Sequence, residues 1–105
     1  LSIGYGYAQT YEKFVEKSFD FLDKNDLVSA EESLRAAMRL EPGNPNNYAL
    51  LMNLGTIQRR QGKLEDALLS YTAAIRIMRP YWKIVPAYIR KWVRSKKRRT
   101  ITMPC

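Results

Sequence analysis

Three pairs of carboxylates stand close together in the sequence: Asp23 with Asp26, Glu31 with Glu32, and Glu65 with Asp66. A carboxylate pair can divide acid and base work, one member protonated and the other ionised. The rest of a catalytic apparatus is missing. The 105-residue chain has no His and one Cys. It therefore has no imidazole to act as base or metal ligand, no intrachain disulfide and no cysteine cluster for a metal. Cys105 is a thiol with no activating neighbour in the sequence. Each carboxylate pair falls at a turn or near a helix start, where acidic groups favour the helix dipole and stay solvated. No catalytic residue, metal site or cofactor is assigned, and the chain reads as non-enzymatic.

The second chemistry on offer is cationic. The net charge is +8, but it is unevenly placed. Residues 1–78 hold nine basic and ten acidic residues. Residues 79–105 hold Arg79, Lys83, Arg90, Lys91, Arg94, Lys96, Lys97, Arg98 and Arg99 and no acid. Such a tail can bind phosphate or anionic lipid, so residues 90–99 suggest an adaptor for nucleic acid or an anionic membrane. The competing reading is a solvated terminus. Tyr5, Tyr7 and Tyr11 have no basic residues interleaved with them and do not read as a base-stacking platform.

These residues must be positioned by helices. Thr10 can cap a helix to about Lys24, with Tyr11, Phe14, Val15, Ser18, Phe21 and Leu22 at the 3.6-residue period. Lys24-Asn25-Asp26 reads as a turn. A second helix spans about Leu27–Leu40, with Leu27, Ala30, Leu34, Ala37, Met38 and Leu40 on one side, and Pro42-Gly43-Asn44-Pro45 stops it. A third spans about Asn46–Gln61, with Tyr48, Leu51, Leu54, Gly55 and Gln58 on a stripe, and Gly62 ends it. A fourth spans about Leu64–Met78, with Leu64, Ala67, Leu68, Tyr71, Ala74, Ile75 and Met78 inward. No strand pattern competes, so the class is all-α with short antiparallel connections. Ahead of these helices lies a leader, residues 1–9. Its Leu1–Ala8 stretch ends in Gly6-x-Ala8, similar to the end of a secretory signal peptide; the other reading is a frayed start. The first implies a secreted or periplasmic protein, the second a cytoplasmic one.

The second and fourth helices repeat each other. Asn25-x4-Ala30-x3-Leu34-x2-Ala37 aligns with Gly62-x4-Ala67-x3-Tyr71-x2-Ala74, an offset of 37 residues. That is a period of about 34 residues with a short insertion at the Gly43–Asn47 turn. Small residues at Gly55, Ala67 and Ala74 let two helices approach closely, and Leu34 and Tyr71 fill the next layer. Gly62 and Asn25 supply left-handed turns. Together with Leu51-x2-Leu54-Gly55, this pattern resembles the tetratricopeptide repeat, about two copies over residues 11–78. The resemblance implies helix hairpins stacked as a short α-solenoid over residues 10–79, and a scaffold for protein–protein contact. Its first helices would line a concave face that takes a peptide or a partner helix. On this chain that face would carry Glu12, Val15, Glu16, Phe19 and Asp23, then Ala49, Met52, Asn53, Thr56, Arg59 and Arg60. The chaperone-binding members of the family have Lys and Asn where Val15 and Phe19 stand here, and Asn53 alone matches their clamp.

Two repeats fall short of the about three that bury a continuous core. The isolated stack should therefore be marginally stable or pair its exposed ends with another copy. A third hairpin is due near residue 80, yet Pro80–Pro86 fits no repeat. Two readings of residues 80–105 stand side by side. One is an end-capping helix over about 86–98, with Tyr88, Ile89, Trp92 and Val93 on its apolar stripe. The other is an out-of-frame reading of a third repeat. Read from each codon's third base, the codons of residues 81–102 allow L-E-N-R-A-x-L-Y-x-x-M-G-x4-A-x3-Y. The Leu, the Glu and the Gly are forced, and the junction is about three residues shorter than the period requires.

Overall fold

A computed structural model of the chain describes residues 10–79, 83 and 85–102, with residues 97–102 described as backbone. The described residues contain five helices and no strand: α1 (Tyr11–Asp23), α2 (Leu27–Leu40), α3 (Asn47–Arg60), α4 (Leu64–Ile77) and α5 (Ala87–Thr102). α1 and α2 form one antiparallel hairpin and α3 and α4 the next. α3 packs on α2, and α5 packs on α4. The architecture is a short solenoid of stacked hairpins, measuring 59 × 30 × 25 Å.

Local chemistry sets the helix ends. Thr10 lies in extended backbone and its Oγ1 accepts from the Lys13 N–H at 3.1 Å, which caps α1. Asn25 takes a left-handed φ of 59°, and the Asp26 N–H then closes back on the Phe21 carbonyl at 2.8 Å. Asp26 in turn caps α2, accepting from the Ser29 N–H at 3.1 Å. One Asn-Asp pair thus ends one helix and starts the next. Gly62 (φ 81°) does the same work between α3 and α4, with the Lys63 N–H returning to the Gln58 carbonyl at 2.9 Å.

The core is two clusters, one per hairpin. The first joins Tyr11, Ala30, Leu34 and Ala37 to Leu50, Leu54 and Ile57 of α3. The second joins Ala67 and Tyr71 to Val85, Ile89 and Val93, with Met52, Met78 and Trp92 at its margin. Ala30, Ala37, Ala67 and Ala74 are fully buried, as close helix approach requires. Gly55 is held to its size by Tyr71: a Cβ there would stand 2.6 Å from the ring.

Some inward positions differ from the expected stripes. Leu40 and Leu64 are exposed. Each sits at a helix terminus, beyond the overlap with the neighbouring helix. α3 buries Leu50 and Ile57, which its expected stripe omits, because it must face α4 on one side and the first hairpin on the other. On α5, Tyr88 is 60% exposed and Val85, just before the helix, is fully buried. The apolar face there is Val85, Ile89, Trp92 and Val93, so it begins one turn earlier than the spacing from Tyr88 suggested.

Candidate interaction surface

The first helices of the two hairpins, α1 and α3, carry the expected concave-face residues. At the N-terminal end of α1 lies a groove of about 330 Å³, lined by Tyr11, Glu12, Val15, Glu16, Asn46 and Leu50. Tyr11 and Leu50 are buried in its floor, Val15 is half-buried, and Glu12 and Glu16 stand exposed on its rim. The Tyr11 hydroxyl donates to Asn47 Oδ1 at 2.7 Å, and Asn47 Nδ2 donates to the Glu41 carbonyl at 2.9 Å. These bonds tie α1 to the turn before α3 and fix the groove's width. Burial, with Glu41 and Glu12 nearby, pushes the Tyr11 phenol above its ordinary range, so it stays a donor.

The remaining expected positions divide into two groups. Phe19 and Asp23 are exposed farther along α1, and Arg60 is exposed at the end of α3. Met52 and Arg59 look instead toward α5, and Thr56 toward Tyr71 of α4. Met52 is half-buried in the second core cluster. Thr56 Oγ1 donates to the Met52 carbonyl at 3.1 Å and lies 2.8 Å from the Tyr71 hydroxyl, which must then be the donor. The Arg59 guanidinium lies 5.8 Å from the centre of the Trp92 ring, and Lys96 Nζ lies 5.5 Å from it. Trp92 meets Tyr71 edge-on at 5.4 Å. Asn53 is half-buried on α3. The structure therefore gathers Glu12 and Glu16 at one groove, draws Met52 and Arg59 toward α5 and sets Thr56 on Tyr71 of α4. The leader 1–9 and Cys105 lie outside the described residues, as do the side chains of Lys97, Arg98 and Arg99.

Two features escaped the sequence reading. The first is Glu31. It is not a solvated partner of Glu32 but a buried carboxylate. It accepts from Arg35 Nη2 at 2.8 Å, Gln61 Nε2 at 2.9 Å and Lys63 Nζ at 3.0 Å. Burial works to raise its pKa, but the hydrogen bonds from Arg35, Gln61 and Lys63 outweigh it and hold the group at about 2. Gln58, buried beside it, best satisfies its neighbours with its oxygen toward Arg35 and its nitrogen toward Ser70 Oγ and the Asp66 carbonyl. The network bolts α2 to the α3–α4 turn. A signal was present: in the repeat alignment Glu31 stands where the second copy has Leu68, and a carboxylate at an apolar position needs partners. The second is a groove of about 740 Å³ between α1 and α2, where Phe14, Phe21 and Ala36 are flanked by Lys17, Lys24 and Arg39.

Among the described residues no cluster of three or more acidic, His or Cys side chains could hold a metal ion, and no helix is long and apolar enough to cross a membrane. Asp23, Asp26, Glu65 and Asp66 are exposed at helix ends, Glu65 and Asp66 in the first turn of α4. The surface is one of shape and charge.

No family model and no curated protein matches the chain. A solved structure does: the crystal structure of a tetratricopeptide repeat protein from Parabacteroides merdae ATCC 43184 at 2.39 Å resolution. The two share 74% sequence identity with a TM-score of 0.63, over 63% of this chain and 26% of that one. The chain thus spans about a quarter of the length of the protein it matches.

Proposed function

Because the chain carries tetratricopeptide repeats, the fold of a protein-interaction scaffold, we propose that it captures a peptide or partner helix on the concave face of α1 and α3. The observation that carries this reading is the groove at the N-terminal end of α1. Its floor of Tyr11, Val15 and Leu50 accepts one apolar side chain, and Glu12 and Glu16 favour Lys or Arg on either side of it. The Tyr11–Asn47 clasp sets the groove before any ligand arrives, so little ordering cost falls on the protein. Specificity comes from spacing: a cation, an apolar anchor and a second cation within about one helical turn.

The test is an array of such peptides against the purified chain, read by fluorescence anisotropy. The double variant Glu12→Lys, Glu16→Lys should weaken the best binder by at least about tenfold, and about 0.5 M salt should weaken the parent interaction in the same direction. Both glutamates are exposed, so the variant should fold as the parent does. Unchanged affinity in the variant would assign the peptide to another face. Residues 90–99 gain no support as a polyanion site from the described geometry. The Arg90 Nε donates to the Val85 carbonyl at 2.9 Å, and Lys96 lies against Trp92.

A further inference from the structure

The place that α5 occupies has a meaning of its own. At the first junction, Leu50, Leu54 and Ile57 of α3 enter the core of the preceding hairpin. At the second junction, Val85, Ile89 and Trp92 meet the core of the next hairpin. Each of these follows its α3 counterpart by 35 residues, close to one repeat period. α5 therefore sits where the first helix of a third hairpin would sit. It continues as one helix to Thr102, through the region where the turn and second helix of a hairpin should fall. Like α3, its counterpart, it has no acidic residue, but it carries seven basic residues where α3 carries two.

We propose that this face of the second hairpin is the docking surface for a third tetratricopeptide hairpin, encoded one frame away beneath residues 81–102. The code itself supports the reading. Tyr81, Trp82 and Lys83 force Leu-Glu when read from the third base, and Trp92-Val93 forces Gly. From that Gly, the permitted residues give G-x4-A-x3-Y, the spacing of Gly62, Ala67 and Tyr71 in the second hairpin. Upstream of it the frame permits Ala and Tyr seven and four residues before the Gly, where the second hairpin has Gly55 and Gln58 before Gly62. A small residue at the close approach, a larger one a turn later, a turn glycine and a small–large pair on the second helix all keep the internal spacing of the second hairpin, 30 residues on, so the junction between the two hairpins is a few residues shorter than one period. In contrast, Val85, Ile89 and Trp92 cover the Tyr71 face with one helix, and that helix brings seven basic residues without an acid.

This inference does not rest on the peptide groove and stands or falls separately. The experiment has two readouts. The coding DNA is sequenced through codons 76–102, and a chain carrying the alternate frame from codon 81 is made beside the present one. The alternate frame should be open throughout. The restored chain should melt higher by about 10 °C, because a two-helix unit replaces a single helix over Tyr71. A stop codon in the alternate frame within residues 81–102 would overturn the proposal. So would a restored chain that melts no higher than the present one.

Discussion

Glu31 shows how a single residue couples two repeats. Its carboxylate is buried, and its donors come from its own helix (Arg35) and from the turn of the next hairpin (Gln61 and Lys63). The folded pKa of about 2 lies below the ordinary 4.5. Stability from this group is therefore complete above about pH 4.5 and is lost as pH falls toward 2. The full shift would correspond to roughly 3 kcal/mol, but Arg35 and Lys63 are nearly half in solvent, and about 2 kcal/mol is the reasonable figure. Glu31→Gln should lower stability by about that amount at pH 7 and flatten the acid limb of a urea-melt series between pH 5 and 2. An acid limb as steep in the variant as in the parent would move the effect to another carboxylate. Gly55 makes the complementary point about volume. A methyl there would meet the fully buried Tyr71 ring at 2.6 Å, and the ring is held between Thr56 and Trp92. Gly55→Ala should cost about 2–3 kcal/mol despite the better helix propensity of Ala. A thermal melt equal to the parent's would mean that the two helices can separate freely.

The elements were legible where one neighbour decides the pattern. α2 and α4 each repeat a small residue, a large one and a second small one, and their spacing gave both the hairpins and the family. α3 was less legible because it serves two neighbours: Leu54 and Gly55 lie on the expected stripe, whereas Leu50 and Ile57 serve the first hairpin off that stripe. Glu31 was legible as a carboxylate at an apolar repeat position, but two of its donors, Gln61 and Lys63, come from the next hairpin and no local pattern announces them. On α1 the repeat register puts Glu12 and Glu16 on the expected face, and the structure has them at the rim of a groove, but the draw of Met52 and Arg59 away from that face depends on α5, whose register the sequence misplaced by starting from Tyr88. That helix can be tested directly. Ile89 is buried against Tyr71 and its neighbours, and Tyr88 is exposed one residue away. Ile89→Asp should release α5, lower the melting midpoint by about 5–10 °C and raise binding of a hydrophobic dye. Tyr88→Asp should change neither. Equal effects from both variants would show that α5 does not hold the face through this side.

At the scale of the whole molecule, the question is how so short a solenoid keeps its apolar surface out of water. Stacked repeats bury a continuous core only when about three are present. Here two hairpins and one helix are stacked, and Val28 (60%), Leu69 (69%) and Ile77 (45%) remain in solvent. The face of α3 and α4 is covered by α5, so repeat-to-repeat pairing at that end is blocked. The groove of about 740 Å³ between α1 and α2 is then the larger of the surfaces on which a second copy could settle. Mass action makes the consequence measurable. If association stabilises the fold, dilution by about a hundredfold removes roughly 2.7 kcal/mol of linkage free energy, which in a domain of this size lowers the melting midpoint by about 10–20 °C. Lys17→Glu, an exposed position lining that groove, should abolish the concentration dependence while leaving the midpoint of the dilute sample within a few degrees of the parent's, whereas Phe14, which packs on the first core cluster, is left in place. A midpoint that does not move over the same dilution would show that two hairpins and α5 suffice as a monomer, and that the grooves serve partners other than a second copy.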